Sequence, residues 1–329
     1  MSRKIIDAVI IGAGPIGLAC GIEAARRGIE YLIIEKGCLV NSVFNYPTNM
    51  TFFSTSDKIE LGNVPFVSHG TKPTRREALE YYRRVTEAKG LIIKLYERVN
   101  MIEKQDGTIR VTTNKSTYLC RNLIIATGYY DNPNMMNIPG EQLSKVKHFF
   151  DEAHPYAGLE AAVVGAGNSA VDVALELFRI GAKVTMVVRE EGIKKSVKYW
   201  VRPDIENRIA EGSIKAFFGS SVIEIEAGHI LIDTPQGKTK LRNDVVFAMT
   251  GYHPDLDFMK EAGIRIVSGK KGYFSKMTHE TNTEGIYLAG VACSGGNTDK
   301  YFIENSTIHS VKIMDHIQKK MKAQTAKGS

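Results

Sequence analysis

Two stretches of this chain have the residue types and spacing to hold a phosphate pair. Gly12-Ala13-Gly14-Pro15-Ile16-Gly17 follows the apolar run KIIDAVII and opens the helix-forming run PIGLACGIEAA. Gly165-Ala166-Gly167-Asn168-Ser169-Ala170 follows AAVV and opens SAVDVALEL. In a strand–turn–helix of this kind the first glycine permits the tight turn. The second lets the backbone approach a pyrophosphate, and the third lets helix and strand pack closely. Ala170 stands for the third glycine, a replacement the pattern tolerates. Each helix start adds free N–H groups and a positive dipole end. Each stretch alone reads as a place to lay a dinucleotide.

The two differ where the next strand ends. Glu35 lies about 20 residues past the first turn, where a carboxylate accepts from ribose hydroxyls, with Lys36 near the adenosine. In the second unit the sequence places Arg189 at the corresponding strand end, and arginine suits a 2′-phosphate. Lys194, Lys195 and Lys198 follow as further donors. The pattern predicts FAD on the first turn and NADPH on the second, one handing a hydride to the other.

The elements that position these turns form a repeat. Strand, helix 15–27 and strand 30–37 make a βαβ unit, which demands parallel strands. Thr74 reads as the N-cap of an amphipathic helix over 74–89, and Asp106-Gly107 as a hairpin turn. After a Pro/Asn-rich linker at 129–141 the pattern restarts, with a helix over 168–180. A long helix over 300–322 closes the chain, and its basic tail reads as a frayed end. The expected fold class is α/β, two Rossmann-like dinucleotide-binding domains with the second inserted in the first. The FAD domain spans 1–130 and 280–329, and the NADPH domain 135–275.

Bulk properties narrow the function. The chain has 329 residues, 43% hydrophobic and 24% charged, with a net charge of +7, which is ordinary for a globular protein. No apolar run approaches the roughly 20 residues of a membrane span. No secretory signal and no basic stripe with interleaved aromatics appears, so neither a membrane nor nucleic acid is an expected partner. The four cysteines, Cys20, Cys38, Cys120 and Cys293, form no CxxC or CxxxxC pair and no metal-ligand spacing. A reducing, cytoplasmic setting is expected.

Longer stretches carry a resemblance. NLIIATGYYDNP and DVVFAMTGYHPD each end a strand in Thr-Gly, and GIYLAGVACSGG is similar to the last flavin-contacting strand and turn of two-dinucleotide-binding-domain flavoproteins. EKGCLVNSVFNYPTNMTFFSTSDKIELG, KPTRREALEYYRRV, GNSAVDVALEL, KYWVRPDIENRI and YFIENSTIH resemble the bacillithiol disulfide reductase (YpdA/Bdr) family over most of the chain. The resemblance implies NADPH-dependent reduction, through FAD, of the disulfide of a low-molecular-weight thiol, in a homodimer or homotetramer. It implies that Asn45, Phe52, Ser54, Thr127 and Gly128 line the flavin. Gly290, Val291 and Ile303 lie near its ring or ribityl chain, and Gly251 marks the domain junction. The family's candidate redox cysteine, in G-x-G-P-C-G, falls where this chain has Ile16; Cys293, in the turn after YLAGV, is a candidate redox or flavin-contact residue, with packing as the alternative. A ferredoxin- or flavodoxin-NADP reductase and a flavin monooxygenase, with His148 as the one histidine kept in register, are the rival enzymes.

Overall fold

The fold is given by a computed structural model that describes residues 4–105, 107–296 and 300–327. Apolar strands flank each glycine turn, and strands of this composition are stable only when both faces are covered. β1 (Ile5–Ile11), α1 (Pro15–Arg26) and β2 (Tyr31–Ile34) make the first βαβ unit, followed by the short α2 (Asn41–Phe44) and a 3₁₀ turn at Ser56–Ile59. α3 (Arg75–Ala88) starts where Thr74 accepts from Glu77 N–H while Glu77 reaches back to Thr74, a capping box. β3 (Ile93–Lys94), β4 (Val99–Gln105), β5 (Thr108–Thr113) and β6 (Thr117–Ile125) complete this part of the chain. β4 and β5 form the expected antiparallel hairpin, with Gly107 at φ +77° in its turn. Asp106 of that turn lies outside the described residues.

The second unit repeats the plan. It contains β7 (Val146–Lys147), β8 (Glu160–Val164), α4 (Asn168–Arg179), β9 (Lys183–Val187) and α5 (Arg202–Ala210). β10 (Lys215–Phe217), β11 (Ser221–Ile225), β12 (His229–Thr234), β13 (Gly237–Arg242) and β14 (Val245–Ala248) complete it. β10-β9-β8-β14-β7 form a parallel sheet, and β11-β12-β13 an antiparallel one. Alternation along β8 sets its faces. Ala161 and Val163 pack with α4, while Ala162 packs with Val222, Ile230 and Ile232 of the antiparallel sheet.

The last third holds α6 (Leu256–Glu261), β15 (Ile266–Val267), β16 (Lys271–Gly272), β17 (Ile286–Leu288) and α7 (Ile303–Lys327). β3-β2-β1-β6 run parallel, and β5 and β4 turn back antiparallel. β6 is long enough to serve two partners on one edge: β5 takes its first half and β17 its second, at Leu123–Ile125. In β1, Ala8 and Ile10 face α1, α3 and α7, while Val9 and Ile11 face the core shared with α6.

Contacts divide the chain into two compact units. One runs to Tyr46, resumes over Met50–Asn132 and again from Tyr252; the other holds Pro47–Asn49 and Pro133–Gly251. The chain thus returns to the first unit at 251–252, earlier than the 275–280 expected. The reason is that α6 and the turn after it send Met259, Ala262 and Ile264 into the first unit's core. Within that unit Tyr46, Tyr130 and Tyr252 meet where the chain leaves and re-enters it, with ring centroids 4.9 Å and 4.7 Å apart. α7 begins at Ile303, not Lys300, and continues as helix through the expected frayed tail to Lys327. Among the described residues no helix is long and apolar enough to cross a membrane.

Candidate active site

In the first unit the backbone leaves a cradle. Gly12 has φ +104°, and a Cβ there would lie 2.6 Å from the carbonyl oxygen of Ala126, so only glycine fits. A Cβ at Gly14 would meet nothing within 4 Å, which keeps that face open to a phosphate. Gly14 caps α1 without a side-chain hydrogen bond, so no capping side chain occupies the first-turn N–H groups. Pro15 and Ile16 come next in that first turn, and Gly17 packs on Gly12, where a Cβ would overlap the carbonyl oxygen. Glu35 is buried at the end of β2 and accepts from Ala13 N–H at 2.8 Å and Gly37 N–H at 2.9 Å. Burial raises its carboxyl above the ordinary value, and the two backbone bonds oppose that rise. Lys36 is paired with Asp131 at 2.7 Å. Thr127 carries a buried Oγ1 with no hydrogen-bond partner, the kind of orphan that a bound group satisfies.

The far side of the cradle comes from the end of β17. Gly128 (φ +76°) stands against Val291, whose methyl would be 3.8 Å from a Cβ there. Gly290 (φ +67°) leaves space that Ile16 fills, with side-chain carbons 3.1–3.3 Å from a Cβ position. Gly290 N–H donates to Nδ1 of His309 at 3.1 Å, and Nδ1 of His279 donates to the Leu288 carbonyl at 3.1 Å. The two imidazoles are buried with centroids 4.1 Å apart. Burial holds His279 down to about 4 and His309 down to about 3, so both are neutral at pH 7. Cys293 Sγ lies 3.9 Å from His279 Nδ1. The three side chains stand close enough to share a cation, but both Nδ1 atoms are already engaged with backbone groups.

The cysteines supply no thiolate here. Cys293 is fully buried and its thiol is pushed well up, chiefly by burial, which is the inert kind. Cys20, one turn along α1 from Ile16, is fully buried with its thiol pushed up to about 12, and Cys120 matches it. Cys38 is half-buried beside Asn41. Other expected flavin residues have partners in the protein itself. Asn45 is exposed and donates to the Asn41 carbonyl, and Phe52 is buried against Tyr46. Ser54 donates to Glu304 at 2.7 Å, and Ile303 opens α7 against the first unit's core. His309 closes the stretch YFIENSTIH but had no role assigned from the sequence, and His279 lies in none of the stretches singled out there.

The second unit has a matching cradle. Gly165 has φ +127°, and a Cβ would lie 2.5 Å from the Met249 carbonyl oxygen, while Gly167 is open. Ala170 is buried, and its Cβ stands 3.4 Å from that Cβ position. Asn168 ties the loop at Ser196–Lys198 to the turn: its Nδ2 donates to Ser196 O at 3.2 Å and its Oδ1 accepts from Lys198 N–H at 2.9 Å. Ser169 is exposed, as is Lys195, whereas Lys198 is paired with Asp172 at 2.7 Å. Gly251 takes φ +89°, and a Cβ there would lie 3.2 Å from Asn134. His148 lies 3.7 Å from the buried Glu141.

The ladders correct one equivalence. Gly12 N–H bonds the Ile34 carbonyl and Gly165 N–H bonds the Val187 carbonyl, so the counterpart of Glu35 is the buried Val188. Arg189 stands one residue later, matching Lys36. The second cradle therefore has no carboxylate at the ribose position, which favours a phosphate there over a free hydroxyl. Both cradles fit dinucleotides: each has the forced glycine, the open glycine and an uncapped helix start.

Comparison with known proteins agrees. The model of a family described as pyridine nucleotide-disulphide oxidoreductase matches residues 9–290. The chain is 43% identical, over 95% of its length and 98% of the relative's, to the bacilliredoxin reductase Bdr of Bacillus subtilis. It is similar to the solved bacillithiol disulfide reductase Bdr (YpdA) of Staphylococcus aureus, with TM-score 0.94, 40% identity, and 97% and 99% of the two chains covered. The Bacillus cereus protein of the same name gives TM-score 0.94, 41% identity, and coverage of 96% and 100%. With a family model spanning most of its length and Bdr relatives above 40% identity end to end, the chain belongs to the pyridine nucleotide-disulphide oxidoreductases, in their Bdr branch.

Proposed function

We propose that this chain passes two electrons from NADPH through FAD to the disulfide of a low-molecular-weight thiol of the bacillithiol type. Dependence on FAD and NADP(H) is common to the family and its relatives. The observation that carries the reading is the pair of like cradles in one chain, one ending in Glu35 and the other in Val188 and Arg189. The acceptor class comes from the relatives' names. In the balance, NADPH gives up a hydride, solvent gives a proton, and one disulfide becomes two thiols.

Bound on the first unit, FAD supplies the carrier that accepts a hydride and releases an electron pair. The chain's own residues bind and orient. Gly12, Gly14 and Gly17 hold a pyrophosphate against the start of α1, Glu35 buttresses the turn and faces the ribose, and the orphan Thr127 hydroxyl bonds the cofactor. Gly165, Gly167, Asn168, Ser169 and Ala170 hold the second pyrophosphate, with Arg189 and Lys195 on the 2′-phosphate. We assign the FAD-binding role to the first unit and the NADPH-binding role to the second. No thiol relay is assigned, because Ile16 carries none and the three buried cysteines are held protonated. The Bdr resemblance supports a homo-oligomer, dimer or tetramer, and the unpaired cysteines suit a reducing cytoplasm.

Anaerobic stopped flow tests this. NADPH is expected to bleach the flavin absorbance, and sustained NADPH oxidation is expected only with oxidised bacillithiol. Fast bleaching without disulfide-dependent turnover overturns the acceptor and leaves a ferredoxin-type acceptor in its place. Ile16→Cys is expected to leave disulfide turnover unchanged.

A further inference from the structure

Some lysines of this chain sit in ion pairs, for example Lys36, Lys58, Lys194 and Lys198. Four that do not, among the described residues, lie beside the turn after β17. A Cβ at Gly295 would lie 2.7 Å from the Lys270 carbonyl oxygen and 2.8 Å from Lys271 Cβ, so this turn lies directly on β16. Lys271 Nζ stands 4.6 Å over the Phe274 ring, and Lys300 Nζ 5.2 Å over Tyr301, whose ring lies 5.1 Å from His309. Lys312 Nζ donates to the Lys276 carbonyl at 3.2 Å.

Among the described residues, none of Lys271, Lys276, Lys300 and Lys312 forms an ion pair. Burial, and after it Lys300 and Lys276, push the half-buried Lys271 ammonium toward neutrality, and Lys312 adds to the burial that holds His279 and His309 down. Gathering like charges costs stability unless an anion joins them. The pyrophosphates of both dinucleotides already have their cradles, at Gly12–Gly17 and Gly165–Ala170. Gly290 and Val291, at the head of this same turn, form the far wall of the first cradle. The anion left to place is the molecule that takes the electrons.

We propose that Lys271, Lys276, Lys300 and Lys312 form the anion-binding rim of the acceptor site, which selects a small disulfide bearing carboxylates. This deepens the proposed function and rests on it for the identity of the acceptor, but the rim can be tested without that identity. The double variant Lys271→Gln/Lys300→Gln is prepared as the FAD-loaded enzyme, and citrate serves as a polycarboxylate probe. Ligand binding raises the melting temperature in proportion to occupancy. Citrate is expected to raise that of the unaltered protein more than that of the variant; any binding at the glycine cradles is common to both and cancels. In turnover the variant's KM for oxidised bacillithiol is expected to rise about tenfold or more, with kcat and NADPH-driven bleaching nearly unchanged. Equal citrate shifts in the two proteins, or an unchanged KM with turnover intact, overturn the rim. If the unaltered protein does not turn over oxidised bacillithiol, the acceptor reading fails, and the citrate comparison still decides the rim.

Discussion

At the scale of single residues, the chemistry of the two cradles turns on the residues just past each second strand. Glu35 is held by two backbone N–H groups and cannot be exchanged without disturbing the turn it supports. Arg189 has no such structural duty. A hydrogen bond to a charged group is worth about 1.5–3 kcal/mol, or roughly 10- to 100-fold in affinity. Arg189→Ala is therefore expected to raise KM for NADPH by that factor in steady-state kinetics, while KM for NADH hardly moves. An equal rise for both nucleotides would remove Arg189 from the 2′-phosphate. This residue also marks a limit of reading sequence. The glycines were legible because positive φ and close packing leave a local signature. The strand end was not, because it is set by the ladder to β8, and counting along the chain missed it by one.

At the scale of elements, the turn after β17 is pinned from two sides. His309 on α7 accepts from Gly290, and His279 donates to Leu288. Both imidazoles titrate near 6.5 in the unfolded chain and are held far lower in the fold, His279 at about 4 and His309 at about 3. Below 6.5 the unfolded chain therefore binds more protons, so stability falls as pH falls, until the folded histidines titrate in turn. Each should cost about 2 kcal/mol at pH 5 relative to pH 7. Melting curves between pH 7 and 5 should show the drop, and His309→Gln, which keeps an acceptor for Gly290, should flatten it. An unchanged slope in that variant would mean that His309 is not buried as a neutral group. The role of His309 was not legible even though YFIENSTIH ends on it, and His279 and the lysines did not stand out at all, because segments far apart in the chain bring them together. By contrast α1, α3 and α4 were legible from their caps and periodicity. The short, charge-rich α5 and α6 were not, since each buries a single side chain, Ile205 and Met259, too few to show a helical period.

At the scale of the whole molecule, one feature governs how the protein is made. β17 takes the second half of the β6 edge, yet the entire run Pro133–Gly251 is synthesised between them. Until Ile286–Leu288 leave the ribosome, β6 presents an open edge at Leu123–Ile125, which are apolar and buried once folded. Open apolar edges recruit other chains. The second unit suffers no such wait, since all its strands lie within one continuous run. The order of completion is thus reversed relative to the order of synthesis: the inserted unit closes first, and the unit that begins the chain closes last. A chain stopped after residue 251 should leave 133–251 resistant to limited proteolysis while 4–132 is digested. Equal protection of both would mean that β17 is dispensable. In the cell, the vulnerable period of this protein is the translation of residues 126–288, when its first sheet stands finished on one side and unguarded on the other.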